Sequence, residues 1–321
     1  MKFKSQFHII GTGRALPEKC MTNKDMEQFF ETSDEWISRR TGIKQRYFVK
    51  ERSEFSCSDL STEAAKKALN MAGVDPKELD LIILGTLSAD TYLPATAVLV
   101  QKNLGATKAL SFDVAAACTG FVLSLDVAAQ FISHGRAKKV LVIGGEVLSR
   151  YFTWKHRETD VIFADGAAAA ILEATHDKAG LIEAVAGTDS EFWKAIYIPG
   201  FDGPRPQTVN LDGKNVFKQA VKHLSESTLE VLMKADTPIQ NVDHFFFHQA
   251  NIRINEAVAE KLEIPAEKLY SNIHKYGNTS AASIPILLDE INHEGKIKEG
   301  DLVLLAALGS GLTYEALLLR W

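Results

Sequence analysis

The chain has 321 residues, of which 46% are hydrophobic and 24% are charged, and its formal net charge is −5. A chain of this length and composition can bury a large core as one large or two medium domains. Its slightly acidic balance argues against nucleic acid as a partner.

The cysteines and the apolar runs narrow the class of protein further. Cys20, Cys57 and Cys118 are widely spaced and form neither a CxxC pair nor a Cys/His cluster, so we predict no disulfide framework and no metal site. No apolar run reaches the roughly 20 residues of a membrane helix, and the stretch near Phe7 is too short for a signal peptide. We therefore expect a cytoplasmic protein without a membrane partner.

Apolar segments predict two sets of buried strands. The first half contains Leu79–Gly85, Leu110–Cys118 and Lys139–Gly145, and the second half contains Val242–His248, Tyr270–Asn278 and Asp301–Gly309. Equivalent positions in the two sets are separated by 161 to 163 residues. This repeat indicates two related α/β halves, with parallel or mixed sheets covered by helices on both faces. We place the boundary in the polar stretch at 172–180, giving halves of 1–175 and 176–321.

Capping residues predict helices between these strands. The segment from Thr32 to Glu35 resembles a capping box that opens a short helix ending at Gly42. A longer apolar-periodic helix stops at Gly73, and another runs over Ile252–Leu262.

Cys118 stands where the second predicted strand gives way to a buried helix. The partial positive charge of a helix N-terminus lowers the pKa of a thiol and favours the nucleophilic thiolate. A lone cysteine is more often a small buried hydrophobic residue, so its surroundings must decide between the two interpretations.

His248 and Asn278 are the polar candidates of the second half. His248 follows a phenylalanine run at the matching strand end, where a buried core or capping histidine would have the same local sequence. Asn278 falls near the repeat equivalent of Cys118, in a stretch that also suits a turn or a cap. We expect polar groups at equivalent strand ends of two related halves to converge on one site.

A Cys, a His and an Asn could also form a papain-like hydrolase triad. Cys118 lacks the Cys-Gly-Ser-Cys-Trp signature of that class, and the repeated strands do not fit its architecture. The sequence therefore argues against a papain-like enzyme.

Four motifs together resemble β-ketoacyl-acyl carrier protein synthase III, the initiating condensing enzyme of bacterial fatty acid synthesis. They lie in the family's order across almost the whole chain: Thr32-Ser-Asp-Glu-Trp36-Ile-Ser-Arg-Arg40-Thr-Gly-Ile43, Asp113-Val-Ala-Ala-Ala-Cys118-Thr-Gly-Phe121, Phe247-His248-Gln-Ala-Asn251-Ile-Arg253 and Tyr276-Gly-Asn278-Thr-Ser-Ala-Ala-Ser283. The resemblance implies the five-layered α-β-α-β-α thiolase-like fold of two related halves, which agrees with the internal repeat.

The resemblance also implies an acyltransferase that works through an acyl-cysteine. Cys118 would take an acyl group from acyl-coenzyme A, with the backbone N–H groups of Cys118 and Gly311 binding the oxyanion. Malonyl-acyl carrier protein would then enter, and His248 and Asn278, as neutral donors, would stabilise the enolate left by decarboxylation. The product would be a 3-oxoacyl-acyl carrier protein. Acyl-coenzyme A is a substrate in this scheme, so no cofactor is expected.

Further roles follow from the same resemblance. Trp36 and Arg157 would sandwich the adenine of coenzyme A, with Thr32 and Arg40 near its nucleotide. Leu93 stands where many acetyl-using members carry Phe at the base of the acyl pocket, which suggests a longer or branched primer. The basic residues expected to face the acidic carrier protein are Lys218, Arg253 and Lys261. Members of the family pair as homodimers through the sheet of the first half.

Departures from the family pattern keep two alternatives open. The loop from Gly309 to Glu315 has Ser310 among its glycines, Ala164 stands where glycine is usual, and Lys214 replaces a polar residue along the pantetheine tunnel. One alternative is a specialised relative in secondary metabolism that uses a different primer or passes the acyl group to oxygen or nitrogen. The other is a catalytically silent thiolase-fold scaffold, against which the three retained polar groups argue.

Overall fold

A computed structural model of the chain describes residues 3–49, 56–200 and 207–321. Within these ranges the strands are β1 (Ser5–Ala15), β2 (Lys19–Thr22), β3 (Gln45–Phe48), β4 (Leu81–Gly85), β5 (Leu110–Val114), β6 (Lys139–Glu146), β7 (Gly166–Ala174), β8 (Gly180–Thr188), β9 (Ile196–Tyr197), β10 (Asn210–Leu211), β11 (His244–Phe247), β12 (Leu302–Gly309) and β13 (Thr313–Arg320). The helices are α1 (Asn23–Met26), α2 (Asp34–Thr41), α3 (Cys57–Ala72), α4 (Thr96–Leu104), α5 (Gly120–Ser133), α6 (Arg157–Asp160), α7 (Gly213–Lys234), α8 (Ile252–Leu262), α9 (Ile273–Tyr276) and α10 (Ser283–His293).

The core strands form two half-sheets that meet at β1 and β8. The strand order is β5-β4-β6-β7-β1 in the first half-sheet and β8-β13-β12-β11 in the second. β4 pairs in parallel with β5 and β6, and β11 pairs in parallel with β12. β1 and β8 share only the pairs Ser5 with Leu181 and Gln6 with Gly180. A junction this short lets the half-sheets face each other across a layer of helices.

The core has five layers. α3 packs on β1, β6 and β7, where Ala64, Ala65 and Ala68 let the helix approach the sheet closely. α5 and α10 lie between the two half-sheets in a shared apolar cluster, and α7 and α8 cover the outer face of the second half-sheet. This α-β-α-β-α order confirms the predicted fold.

The internal repeat has a constant spacing in the structure. β4 and β11, α5 and α10, and β6 and β12 each begin 163 residues apart. The turns before α5 and α10 also match, because Ala117 and Ser280 both adopt the left-handed conformation, with φ of 47° and 49°. The repeat equivalent of Cys118 is therefore Ala281, three residues beyond Asn278.

The predicted strand over Tyr270–Asn278 is wrong. Leu269 forms a single bridge with Phe245, and the chain then enters α9. Ile273 and Tyr276 are buried three residues apart, which is the spacing of one helical turn and not of a strand.

The helices begin and end at the residues that the capping signals predict, except at the N-cap of α2. The N-cap of α2 is Ser33 and not Thr32, because the Ser33 hydroxyl accepts the backbone N–H of Trp36 at 3.1 Å. α2 ends at Gly42 and α3 at Gly73, both in the left-handed conformation. α8 covers the predicted range.

The turn between β7 and β8 contains residue 175, where the two predicted halves meet. β7 ends at Ala174 and β8 begins at Gly180.

Within the described ranges, no helix combines the length and the apolar character that crossing a membrane requires.

Candidate active site

A cavity of about 750 Å³ opens where β5 and β11 end. Its walls are mostly apolar, as is typical of small-molecule sites, and a few polar groups reach its surface. Cys118, His248 and Asn278 all line it. The structure thus brings together the three residues that the sequence selects.

Cys118 lies in a short 3-10 turn between β5 and α5. The N–H and the hydroxyl of Thr119 both donate to the Ala116 carbonyl, at 3.2 and 2.6 Å, and fix this turn. Gly309 passes so close that a Cβ there would lie 2.9 Å from the Cys118 nitrogen, so the position requires glycine. Burial raises the pKa of the Cys118 thiol to about 12, although Ser280 and the residue's own N–H oppose the shift. Burial therefore acts against the lowering of this pKa that the helix N-terminus predicts.

His248 follows β11 and is 4% exposed. Its Nδ1 lies 2.6 Å from the Ser283 Oγ, which also accepts the backbone N–H of Gln249 at 3.3 Å. A Ser283 hydroxyl that donates to Nδ1 leaves the ring proton on Nε2, the tautomer used below. Burial lowers the pKa of His248 to about 3. The ring is therefore neutral at physiological pH, and its Nε2–H is available as a donor.

Asn278 is held by its backbone on both sides. Its N–H donates to the Ile162 carbonyl at 3.0 Å, and its own carbonyl accepts the N–H of Ala164 at 2.8 Å. The Oδ1 accepts the N–H of Ser280 at 2.8 Å. Because Oδ1 is engaged by the backbone, the amide presents its Nδ2 as the second donor of the cavity.

The glycine loop places Ser310, and not Gly311, on the cavity wall. The Ser310 hydroxyl donates to the Ile196 carbonyl and ties the loop to the neighbouring wall. Gly311 has φ 133° and turns the chain between β12 and β13. The oxyanion role of the backbone N–H groups of Cys118 and Gly311 stays a prediction.

The residues predicted to bind coenzyme A cluster beside the cavity. The guanidinium of Arg157 lies 4.5 Å from the Trp36 ring centre, and that of Arg40 lies 4.8 Å from it. An adenine between Trp36 and Arg157 needs about 7 Å, which is two contact distances of about 3.5 Å. Arg157 must therefore move away from the ring before a base can enter. Thr32 is adjacent, and its buried hydroxyl has no hydrogen-bond partner in the structure.

The three basic residues predicted to face a carrier protein lie on the outer layer of the second half. Lys218 is on α7 and Arg253 and Lys261 are on α8, and all three are exposed. Arg253 lies over the Phe217 ring at 5.8 Å and also borders a depression shared with Trp36 and its neighbours.

Leu93 does not form the base of the cavity within one chain. It is 88% exposed, whereas its neighbour Tyr92 lines the cavity. The loop that carries both residues points its apolar side chains outward.

The sequence analysis missed polar residues that contact the reacting groups. Ser280 and Cys118 both line the cavity, and Ser283 contacts the His248 ring. Both serines lie in the motif that carries Asn278, and a hydroxyl residue close to a candidate catalytic residue is a sequence signal for such a contact. Glu146 is fully buried at the end of β6, and its sequence signal is an acidic residue at the end of an apolar strand.

Among the described residues, no group of three His, Cys, Asp or Glu is arranged to hold a metal ion.

Comparisons with known proteins agree with one another. The family described as 3-Oxoacyl-[acyl-carrier-protein (ACP)] synthase III matches residues 112–190, and the family described as its C terminal matches residues 232–321. Beta-ketoacyl-[acyl-carrier-protein] synthase III of Aquifex aeolicus is 46% identical, with 98% of this chain and 99% of that protein covered. The protein of the same name from Caldanaerobacter subterraneus subsp. tengcongensis is 43% identical, with coverages of 98% and 97%. The crystal structure of the Aquifex aeolicus synthase superposes with a TM-score of 0.94 over 98% of this chain and 100% of that chain.

Proposed function

Because the chain belongs to the 3-oxoacyl-[acyl-carrier-protein] synthase III family, we propose that Cys118, His248 and Asn278 carry the two half-reactions of its condensation. The chain is an acyltransferase that joins an acyl-coenzyme A primer to malonyl-acyl carrier protein at the start of fatty acid synthesis. The observation that carries the assignment is the convergence of a thiol, a neutral imidazole donor and an amide donor on one cavity.

In the first half-reaction, the Cys118 sulfur attacks the thioester carbon of the primer and coenzyme A leaves. The oxyanion formed on the way is held by the backbone N–H groups of Cys118 and Gly311 in this scheme. No cofactor takes part, because the coenzyme A thioester is itself the substrate.

In the second half-reaction, malonyl-acyl carrier protein loses CO₂ and its enolate carbon attacks the acyl-cysteine. The enolate oxygen receives hydrogen bonds from the His248 Nε2 and the Asn278 Nδ2. The new carbon–carbon bond forms as the carbon–sulfur bond to Cys118 breaks, which regenerates the enzyme.

Intact-mass measurement tests this function directly. Purified protein is incubated with acyl-coenzyme A thioesters from acetyl to dodecanoyl, and malonyl-acyl carrier protein is then added. We expect one acyl adduct per chain, discharged as a 3-oxoacyl product. An adduct that malonyl thioester never discharges would favour acyl transfer to oxygen or nitrogen instead.

We further propose that the two substrates enter past different basic groups. Arg157→Ala is expected to raise KM for acyl-coenzyme A about 3- to 10-fold through loss of its stacking contact, with KM for malonyl-acyl carrier protein unchanged. Lys261→Ala should raise only KM for the carrier protein, because this exposed charge would face an acidic partner. Steady-state kinetics with each substrate varied in turn will separate the two effects. Lys66→Ala, on α3 in the opposite outer layer, is the control, and an equal effect there would contradict both assignments.

Pairing through β5 is proposed as the homodimer contact. β5 ends the first half-sheet, so one edge of its backbone has no strand partner within the described chain. Leu110 on this strand is 51% exposed. Asp113 of the same strand accepts the N–H groups of Thr96 and Ala97, each at 2.7 Å, and holds the loop carrying Leu93 beside the edge. A partner chain would cover Leu110 and Leu93. It would also bring Leu93 of one chain against the cavity region of the other.

The dimer contact predicts a mass change on substitution. The 35.4 kDa chain should sediment at about twice its mass, and Leu110→Lys should shift it toward the monomer because a buried, unpaired charge opposes association. Leu229→Lys on α7 is the matched control, since Leu229 is 50% exposed but lies far from β5. A wild-type monomer, or equal effects of the two substitutions, would reject the contact.

A further inference from the structure

His223 and Asp189 form a polar pair beside the glycine loop at 309–313, which joins β12 to β13. His223 lies on α7 and is 6% exposed, and its Nε2–H donates to the Asp189 Oδ2 at 3.1 Å. Neither side chain lines the active-site cavity, and the condensation scheme gives neither of them a role. A histidine withdrawn from water needs such a partner, but burial alone does not explain why a polar pair stands here.

The imidazole of His223 is also fixed by an aromatic ring. Its ring centre lies 4.7 Å from that of Tyr314, and the two ring planes are only 12° apart. Tyr314 stands at the start of β13, directly after the glycine loop, and pairs with Gly187 of β8. A Cβ at Gly187 would overlap the Tyr314 ring, so strand and ring are in close contact. The stack on one face and the carboxylate at one edge therefore leave the imidazole little freedom.

Asp189 connects this histidine to the glycine loop. Its backbone N–H donates to the Leu312 carbonyl at 2.9 Å, and its carbonyl accepts the Leu312 N–H at 3.0 Å. The preceding residue, Thr188, pairs with Thr313 at the end of the ladder, and their hydroxyl oxygens lie 3.3 Å apart. The side chain of Asp189 is thus bonded to α7 while its backbone is bonded to the loop.

Gly311 depends on its neighbours because it has no side chain of its own to pack or bond. On one side, the Ser310 hydroxyl donates to the Ile196 carbonyl. On the other side, Leu312 forms the two backbone bonds to Asp189. The direction of the Gly311 N–H is therefore set by two attachments, and the second of them is the one that His223 supports.

The same loop passes directly against the nucleophile. A Cβ at Gly309 would lie 2.9 Å from the Cys118 nitrogen, and Ser310 and Thr313 line the cavity beside the thiol. In acyl transfer, a displacement of about 1 Å between reacting and stabilising groups can slow the reaction about 100-fold. The position of the loop therefore matters for chemistry at Cys118.

We propose that His223 and Asp189 are positioning residues that hold the glycine loop in place for acyl transfer to Cys118. The pair acts through Leu312 and touches neither the substrate nor the sulfur. This role rests on the proposed first half-reaction, in which the Gly311 N–H binds the oxyanion. Because an oxyanion donor acts mainly in the transition state, loosening the loop lowers the maximal rate of acylation and leaves KM for the primer nearly unchanged.

Two reactions of the same thiol test this role. Acylation by acyl-coenzyme A passes through an oxyanion, whereas alkylation by iodoacetamide displaces iodide at a saturated carbon and forms none. In His223→Ala, single-turnover acylation at saturating primer should slow about 10- to 100-fold. Alkylation of Cys118, followed on its peptide by mass spectrometry, should keep the wild-type rate. A general disturbance of the site would slow both reactions, and that result would overturn the proposal.

Conservative variants of the pair should recover activity. In His223→Gln the side-chain amide can donate to Asp189, and in Asp189→Asn the Oδ1 can accept from His223. Both variants should acylate faster than His223→Ala and Asp189→Ala. Asp189→Ala removes the same bond from its half-buried side without opening a cavity beside Tyr314, so it serves where loss of the imidazole prevents folding.

His244→Ala is the matched control. His244 is 7% exposed, its Nε2–H donates to the Asp301 Oδ2 at 2.8 Å, and its ring centre lies 5.6 Å from that of Tyr270. This second histidine–aspartate pair stands where β11 begins, at the opposite end of the strand from the cavity. Its loss should leave both acylation and alkylation unchanged. Equal slowing of acylation in His244→Ala and His223→Ala would overturn the proposal.

Hydrogen exchange of the loop separates this inference from the proposed function. Exchange of the Leu312 N–H should be about 10-fold faster in His223→Ala than in the wild type, and unchanged in His244→Ala. A wild type that forms no acyl adduct with any primer would reject the first half-reaction, and the role of the pair with it. A wild type that acylates normally, with neither acylation nor Leu312 exchange altered in His223→Ala, would reject the role of the pair alone.

Discussion

Replacing Cys118 with alanine is expected to abolish the acyl adduct that acyl-coenzyme A leaves on the chain. The methyl group cannot attack a thioester, and no other thiol lines the cavity among the described residues. Intact mass after incubation with the best primer should show full occupancy in the wild type and none in the variant. The rate of condensation with malonyl-acyl carrier protein should be lost together with the adduct, because the second half-reaction starts from the acyl-cysteine.

The other two cysteines supply matched controls for this result. Cys57 is fully buried, with its sulfur 3.3 Å from the Gly145 carbonyl, and burial raises the pKa of its thiol to about 12 as well. Cys20 is exposed on β2. Cys57→Ala and Cys20→Ala should therefore both keep the adduct. An adduct that survives in Cys118→Ala, or one that is lost in Cys20→Ala, would contradict the assignment of the nucleophile.

Much of the fold was readable because the core strands are short, apolar and repeated. The strands that contain Ile83 and Val142 are buried on both faces, so their composition alone identifies them. The segment after Tyr270 was misread because a one-turn helix is too short to show a helical period. Ser33 and Thr32 are both competent caps, and local sequence does not distinguish them; in the structure the Ser33 hydroxyl accepts the Trp36 N–H.

The sequence likewise predicts some residues of the candidate site and misses others. Cys118, His248 and Asn278 follow strands or turns that the repeat locates, so the sequence could predict that they converge. Ser280 and Ser283 lie in and after a turn that packs across the end of β6, which is a contact between elements distant in sequence. Sequence spacing carries no information about such a contact.

The ionisation states could not be read from the sequence either. A helix N-terminus favours the thiolate of an exposed cysteine. At Cys118 burial raises the pKa of the thiol and so opposes the helix terminus. The same burial keeps His248 neutral, which is the state that enolate stabilisation requires.

Replacing His248 with alanine is expected to separate the two half-reactions. The acyl adduct on Cys118 should still form, because the proposed scheme uses His248 at the enolate oxygen of the second half-reaction. Condensation should fall by about 100- to 1,000-fold, since one of two donors to the enolate oxygen is lost. Single-turnover measurements, with adduct formation and discharge followed separately by mass, will resolve the two steps.

The pH dependence of the discharge step gives a second check on this role. The neutral form of a histidine whose pKa is lowered to about 3 predominates at every pH above that value. Discharge in the wild type should therefore show no inflection from His248 between pH 5 and 8. Ser283→Ala, which removes the hydroxyl 2.6 Å from Nδ1, should slow discharge less than His248→Ala because it disturbs only the orientation and tautomer of the ring. His248→Ala could instead prevent the adduct while the Cys118 thiol still reacts with an alkylating reagent. That result would show that the imidazole acts in acyl transfer, and it would contradict the roles assigned to the two half-reactions.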